Sequence, residues 1–274
     1  MSLDSFTDDL RLAHLLADRA DAITMARFQA KDLKVQMKSD HTPVTDADRE
    51  AEESMRAFIQ KVRSRDAIIG EEFDTVGWGP REWILDPIDG TANYQRGVPV
   101  WATLIALRVD GIVRVGVVSA PALGRRWWAA EGEGAFVGKS LLKGARMRTS
   151  KTATVEDAFL SYSSVSGWIS SGRGQAFVDL MRDCGRTRAF GDFWSYMMLA
   201  EGCVDIATEP ELALHDMAAL DIIVREAGGR FTSLDGADGP VGPGALATNG
   251  ILHDVVLDRL RPDGTEDSYL DALE

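Results

Sequence analysis

Two apolar runs, Thr103–Val109 and Ile112–Ser119, are separated only by Asp110-Gly111. An Asp-Gly pair suits a two-residue turn in which both central positions need positive φ. The flanking runs are therefore expected to fold back on each other as an antiparallel hairpin. Similar short runs lie on both sides: Ala67–Gly70 and Glu82–Leu85 before, Arg126–Ala130 and Gly134–Val137 after. Sequential strands joined by tight turns predict an antiparallel sheet. Ahead of it, Leu12, Leu15, Leu16, Ile23 and Phe28 recur at helical spacing, which predicts a long or broken helix over residues 3–30. Leu33, Val35 and Met37 alternate as a short strand would, and Thr45 to about Arg63 reads as a second helix.

After about Ser150 the rhythm changes. Strands are predicted at Phe159–Ser163, Thr187–Phe190, Val204–Thr208 and Arg230–Ser233, and Ala245–Thr248 falls at the end of the folded part. Helices are predicted at Gln175–Cys184, Asp192–Gly202 and Asp216–Ala227, and Ile251–Leu260 closes the folded part. Such alternation favours a mostly parallel sheet with helices on its faces. The chain thus divides into an α+β half (1–150) and an α/β half (151–261). Residues 262–274 hold five acids and no base, the composition of a mobile acidic tail.

Charge narrows the function. The 43 acidic and 30 basic residues leave a net charge of −13. Bulk binding of nucleic acid needs the opposite sign, and an anionic membrane surface would repel this chain. No apolar run approaches the ~18–20 residues of a membrane span. The first residues, with Asp4, Asp8 and Asp9, lack the basic start of a signal peptide. Cys184 and Cys203 lie in apolar stretches without CxxC spacing, so both are expected as core thiols of a soluble cytoplasmic protein.

The densest chemical signal is Trp83-Ile84-Leu85-Asp86-Pro87-Ile88-Asp89-Gly90-Thr91. An apolar strand runs into two aspartates three apart. Pro87 bends the chain, and Gly90 allows close backbone approach to a ligand. Hard divalent cations such as Mg²⁺ take oxygen ligands, which a bend of this sort can supply. The amides of Gly90 and Thr91, opening a helical turn, can receive a phosphate. Three further acidic sites accompany it: Glu71 and Glu72 after a buried strand, Asp216 opening an apolar helix, and Asp48 in Thr45-Asp46-Ala47-Asp48. Each alone has an ordinary explanation: a solvated loop, a helix N-cap, a capping box.

In order and spacing, Gly70-Glu71-Glu72, Asp86 through Thr91, Asp216 and Glu226-Ala227-Gly228-Gly229 resemble the inositol monophosphatase superfamily of Mg²⁺-dependent phosphatases. The resemblance spans about Leu10 to Leu260. It departs at His215, where the family usually has Trp, and at Ala92, where many relatives carry a polar residue. It implies a layered αβαβα sandwich, a small phosphomonoester substrate, two or three Mg²⁺ ions and a homodimer. It also implies ligands: Glu71, Asp86 and the Ile88 carbonyl for one ion, Asp86, Asp89 and Asp216 for a second, and Glu71 again for a third. Thr91 and Asp48 would orient the attacking water with Glu71 assisting as base, and Lys38 matches a lysine often found near this site.

Substrate choice falls on the second half. Asp192, in Arg188-Ala189-Phe190-Gly191-Asp192-Phe193-Trp194-Ser195, stands where inositol phosphatases commonly have small residues. Glu209, seven residues before Asp216, matches the family's substrate-contacting glutamate. With Arg96–Ala102 and Ser119–Trp128, these strings look like the histidinol-phosphate phosphatase branch found in actinobacteria. That resemblance implies L-histidinol phosphate as substrate, with Asp192 and Glu209 facing its amine and Arg188 and the Gly90-Thr91 turn also in contact. An inositol or broader sugar-phosphate phosphatase is the alternative within the same chemistry. A catalytically idle metal- or phosphate-binding dimer is the alternative outside it.

Overall fold

The computed structural model describes residues 5–38 and 42–262. Helix α1 (Thr7–Arg27) leads to β1 (Val35–Met37), β2 (Pro43–Thr45) and α2 (Asp46–Val62). Then come β3 (Ala67–Gly70), β4 (Arg81–Asp89), α3 (Thr91–Gln95), β5 (Ala102–Val109), β6 (Ile112–Ala120), β7 (Arg125–Ala130), β8 (Gly134–Gly138) and β9 (Gly144–Arg146). The second half holds β10 (Phe159–Ser161), α4 (Ser166–Ser170), α5 (Gly174–Asp183), β11 (Arg186–Arg188) and α6 (Asp192–Ala200). It ends with β12 (Ile206–Glu209), α7 (Leu214–Glu226), β13 (Arg230–Thr232), β14 (Ala245–Thr248) and α8 (His253–Arg259).

Strands β3 to β9 form one seven-stranded sheet in sequence order. The Asp110-Gly111 turn joins β5 and β6 antiparallel, with both residues at positive φ. One expectation fails at the edge: β3 pairs parallel to β4, because the chain from Glu71 to Pro80 loops back before β4 begins. The second sheet has the order β11-β10-β12-β14-β13. It is mixed rather than mostly parallel: β10 runs parallel to β11 and β12, while β14 runs antiparallel to both its neighbours.

Five layers follow from which faces are apolar. In the large sheet Trp83, Leu85, Ile105, Leu107, Val115 and Val117 face α1 and α2. Their alternates Ile84, Leu104, Ala106 and Val118 face a middle core with α6, α7 and the second sheet. Period-two alternation with both faces buried explains why these strands read as nearly continuous apolar runs. Beyond the second sheet, Trp168 of α4, Phe177 of α5 and Val256 of α8 close the last layer. Trp127 and Trp128, as neighbours on one strand must, point to opposite faces. The first packs near Phe193 in the middle core, and the second lies edge-on to His14 of α1.

Several local readings change. Cys203 is exposed, in the turn after α6, and only Cys184 is buried. β1 is solvent-exposed throughout, so its alternation did not report a buried face. β2, β9 and α4 were not expected from the sequence; each is short, and Pro43 argues against a strand. Of the acidic tail, residues 263–274 lie outside the described residues.

Helix α7, which carries Asp216, lies flat on the large sheet at Gly116 of β6. A Cβ there would meet Ile222 Cγ2 at 2.6 Å and the Ala219 carbonyl oxygen at 2.8 Å. Gly116→Ala is expected to lower unfolding free energy by about 1–3 kcal/mol through overpacking, measured by urea denaturation. Unchanged stability would show that α7 can lift away freely.

Candidate active site

The two aspartates of β4 are three residues apart. In a regular strand that spacing would send them to opposite faces. Here the ladder between β4 and β5 slips between Asp86 and Asp89. On the other side β3 ends at Gly70 opposite Leu85, so Pro87, lacking an N–H, interrupts no bond there. Pro87 thus lies within β4, at a bulge, rather than after its end. Thr103 Oγ1 donates to the Pro87 carbonyl at 2.8 Å and holds the bulge. The result brings Asp86, Asp89 and Asp216 together, with one carboxylate oxygen of each within 4.8 Å of the others.

Asp216 arrives from the first turn of α7. It is the third helical residue rather than the N-cap, and its Oδ2 accepts from the Ala213 amide at 2.7 Å. Asp89 is held from the start of α6, where the Phe193 amide donates to its Oδ2 at 2.8 Å. Asp86 is 1% exposed, and its Oδ1 has no hydrogen-bond partner among the described residues. Burial, with Glu71 and Asp89 nearby, pushes the Asp86 carboxyl well above the usual carboxylate range. Burial does the same to Asp89, reinforced by Asp192 and Asp216, and also raises Asp216. An orphaned buried oxygen within a cluster of oxygen-only donors suits a hard cation such as Mg²⁺. The residues present therefore fit the metal that the resemblance implies.

Glu71 stands beside this trio but turns to Lys38, whose Nζ is 2.7 Å from Glu71 Oε1 and 2.6 Å from Glu72 Oε1. Burial disfavours the ammonium, yet the hydrogen bonds it donates to the two glutamates outweigh this and hold Lys38 above its ordinary range. The Ile88 carbonyl accepts from Thr91 Oγ1 at 2.9 Å, and a carbonyl retains a second lone pair. Thr91 Oγ1 also lies 3.1 Å from Asp48 Oδ1. Asp48 closes a true capping box with Thr45, and burial raises its carboxyl to about 6.

Beside the Gly90 turn, Asp192 is a non-glycine residue in the left-handed region, with φ of 48°. It begins α6 but does not cap it, because its side chain turns instead to Asn93 Nδ2 at 3.1 Å. Backbone in that region is a strain that the surroundings must hold, and the Asp192 amide is held by Ser163 Oγ at 3.0 Å. Ser163 in turn donates to Glu209 Oε2 at 2.7 Å. Glu209 does not line the cavity but lies one hydrogen bond from it. Its Oε1 is buried without a partner among the described residues, and burial raises its carboxyl to about 8.

The cavity these walls enclose measures about 920 Å³ and is lined by Lys38, Glu71, the β4 aspartates, Gly90, Thr91, Asp192 and Asp216, among others. Its size suits a small ligand. His215 lines it too, with Nε2 3.6 Å from Asp216 Oδ1, and so does Ala92. Gly90 has φ of 85°, and a Cβ there would press on the Val100 carbonyl at 3.1 Å and Asp192 at 3.2 Å. Arg188 stands apart: it is exposed, absent from the cavity wall, and its Nη1 donates to the Thr187 carbonyl. Ser163 and Asn93 were missed in the sequence. Asn93 could have been found from its place one turn beyond Gly90, whereas Ser163 carries no local signal.

Residues 8–262 match the model of the inositol monophosphatase family. A histidinol-phosphatase of Streptomyces coelicolor is 58% identical over 259 residues, covering 93% of this chain and 97% of that protein. A histidinol-phosphatase of Mycobacterium tuberculosis is 56% identical over 254 residues, covering 92% and 98%. Among solved structures, an inositol monophosphatase of Zymomonas mobilis superposes with a TM-score of 0.82 at 32% identity, covering 94% of this chain and 99% of its own. The family model spans most of the chain and the relatives are covered nearly end to end, so the chain belongs to the inositol monophosphatase family.

Proposed function

We propose that this protein is a Mg²⁺-dependent phosphomonoester hydrolase that converts L-histidinol phosphate to L-histidinol and phosphate in histidine biosynthesis. One observation carries the reading: a cation-ready trio, Asp86, Asp89 and Asp216, shares a cavity wall with a second acidic pair, Asp192 and, through Ser163, Glu209. A phosphate ester with a cationic far end matches both. The names of the two actinobacterial relatives agree with it. Enzymes of this family are metal-dependent, typically on Mg²⁺.

In this reading Asp86, Asp89, Asp216, Glu71 and the Ile88 carbonyl hold two or three ions. Bound Mg²⁺ supplies the positive charge that neutralises the phosphoryl oxygens and makes water a better nucleophile. The chain does the rest. Thr91 Oγ1, braced by Asp48 Oδ1, orients the attacking water, and Glu71 takes up its proton. The water oxygen bonds to phosphorus, the ester P–O bond breaks in line, and the departing alkoxide takes a proton from solvent water, to which Glu71 returns the one it accepted. The Gly90 and Thr91 amides receive phosphate oxygens, and Lys38 holds Glu71 in place. Asp192 meets the substrate's amine directly and Glu209 meets it through Ser163, and the incoming cation draws the raised Glu209 carboxyl back to its charged form. We further infer a homodimer in the cytoplasm, where the two free thiols stay reduced.

A phosphate-release panel with Mg²⁺ tests the substrate. Histidinol phosphate should be turned over far faster than inositol 1-phosphate or fructose 1,6-bisphosphate; the reverse order would reject histidinol phosphate in favour of an inositol or sugar-phosphate enzyme. Asp89→Asn should fold yet fall to background, whereas retained activity would contradict the cluster's role.

Glu209→Gln should lower kcat/KM for histidinol phosphate by roughly 10–100-fold, as expected for a lost charged hydrogen bond. The same change should affect stability with a definite sign. The raised Glu209 carboxyl favours the folded state fully below about 4.5, and that contribution is lost as pH rises toward about 8. Metal-free Glu209→Gln should therefore gain on the parent across that window, by up to about 1.4 kcal/mol per pH unit. Urea denaturation at pH 5 and pH 8 reads the difference; a gap that does not widen contradicts the buried, uncompensated carboxylate.

A further inference from the structure

Helix α2 presents three buried polar side chains in a row. Asp48, Glu52 and Arg56 are four residues apart, which stacks them along one helix face, and they are 0%, 0% and 7% exposed. Asp48 reaches Thr91. Glu52 Oε1 accepts from Arg56 Nε at 2.6 Å, and its Oε2 accepts from the Glu72 amide at 2.8 Å. Arg56 Nη2 donates to the Phe73 carbonyl at 2.8 Å, and Nη1 donates to the Asp74 carbonyl at 3.0 Å. Beyond their own ion contact, the pair's hydrogen bonds among the described residues all go to backbone of residues 72–74.

That segment has no ladder of its own. Its base is closed by Ile68 and Val76, which exchange backbone bonds, and Glu71 to Asp74 run between as irregular chain. The approach of α2 is close enough that a Cβ on Gly70 would lie 1.8 Å from Glu52 Oε1 and 2.6 Å from Arg56 Nη2. The glycine before Glu71 thus makes room for the α2 side chains. An isolated buried ion pair is a weak source of stability, because desolvation offsets its attraction. Three charge-assisted bonds to one loop give this pair a different use.

We propose that Glu52 and Arg56 are positioning residues that fix the loop bearing Glu71 in the geometry that Mg²⁺ requires. Neither lines the cavity, so they act through Glu71 and Glu72. Through one helix face, α2 then sets the Glu71 loop and the Asp48–Thr91 pair relative to each other. The inference rests on the reading of Glu71 as a Mg²⁺ ligand.

Calorimetric titration of Mg²⁺ into substrate-free, full-length protein tests it without relying on turnover. Glu52→Gln keeps the shape but removes the charge that holds Arg56, and it should raise the Mg²⁺ Kd by roughly tenfold. In phosphate release, kcat should recover toward the parent value at saturating Mg²⁺, with KM for substrate unchanged. Arg56→Lys keeps the charge but cannot reach both carbonyls, and it should shift Kd in the same direction by less. It also serves as the deciding variant if Glu52→Gln does not fold. Asp21→Asn breaks a half-buried ion pair with Arg126, outside the cavity, and should lower Tm without moving the Mg²⁺ Kd. Parent-like Kd in both Glu52→Gln and Arg56→Lys overturns the positioning role while leaving the metal reading intact. No Mg²⁺ binding by the parent protein overturns both.

Discussion

Buried carboxylates that repel one another are the constraint around which the rest is arranged. Asp86, Asp89 and Asp216 crowd oxygens within 4.8 Å, and Asp86 has an oxygen with no hydrogen-bond partner among the described residues. Left alone, such a cluster opposes folding, since each charge removed from water must be neutralised or protonated. The fold brings it together by independent means: a bulge in β4, the first turn of α7, and the start of α6 donating to Asp89. The five layers exist in part to hold those three segments at one point. Gly116 lets α7 lie against the large sheet, and the middle core locks α6 and α7 between the sheets.

The same repulsion explains the asymmetry of the cavity. On the trio's side an inorganic cation can relieve it. On the side of Asp192 and Glu209 neither carboxylate has an ion pair among the described residues, and Glu209 keeps an oxygen unpaired among them. Strained backbone at Asp192, bonded through Ser163 and Asn93, keeps that second acidic wall in place. A net charge of −13 is thereby partly concentrated in a site for an anionic ester, and metal reverses the local sign at one end only.

What the sequence revealed divides along physical lines. The Asp110-Gly111 hairpin was legible because turn chemistry is local, and the capping box at Thr45 and Asp48 likewise. The acidic motifs were legible through resemblance, since no local rule brings Asp216 beside Asp86. The parallel pairing of β3 and the mixed second sheet were not, because strand direction is settled by long-range packing. Pro87 implied a bend but not a bulge within a continuing strand. Asp192 opens α6 as the sequence predicts, but its left-handed backbone carries no local signal. Arg188 was drawn to the site by its place in a motif, but its guanidinium faces away. Glu52 and Arg56 follow Asp48 at helical spacing, and only the fold shows that the Glu71 loop passes over them.

A metal-soaked crystal tests the central claim most directly. With Mn²⁺ as an anomalous stand-in for Mg²⁺ and inorganic phosphate present, strong anomalous peaks should lie among Asp86, Asp89 and Asp216. At least one should contact the orphaned Asp86 Oδ1, with phosphate against the Gly90-Thr91 turn. Peaks confined to other acidic surfaces, with the three carboxylates unliganded at saturating Mn²⁺, would contradict the account.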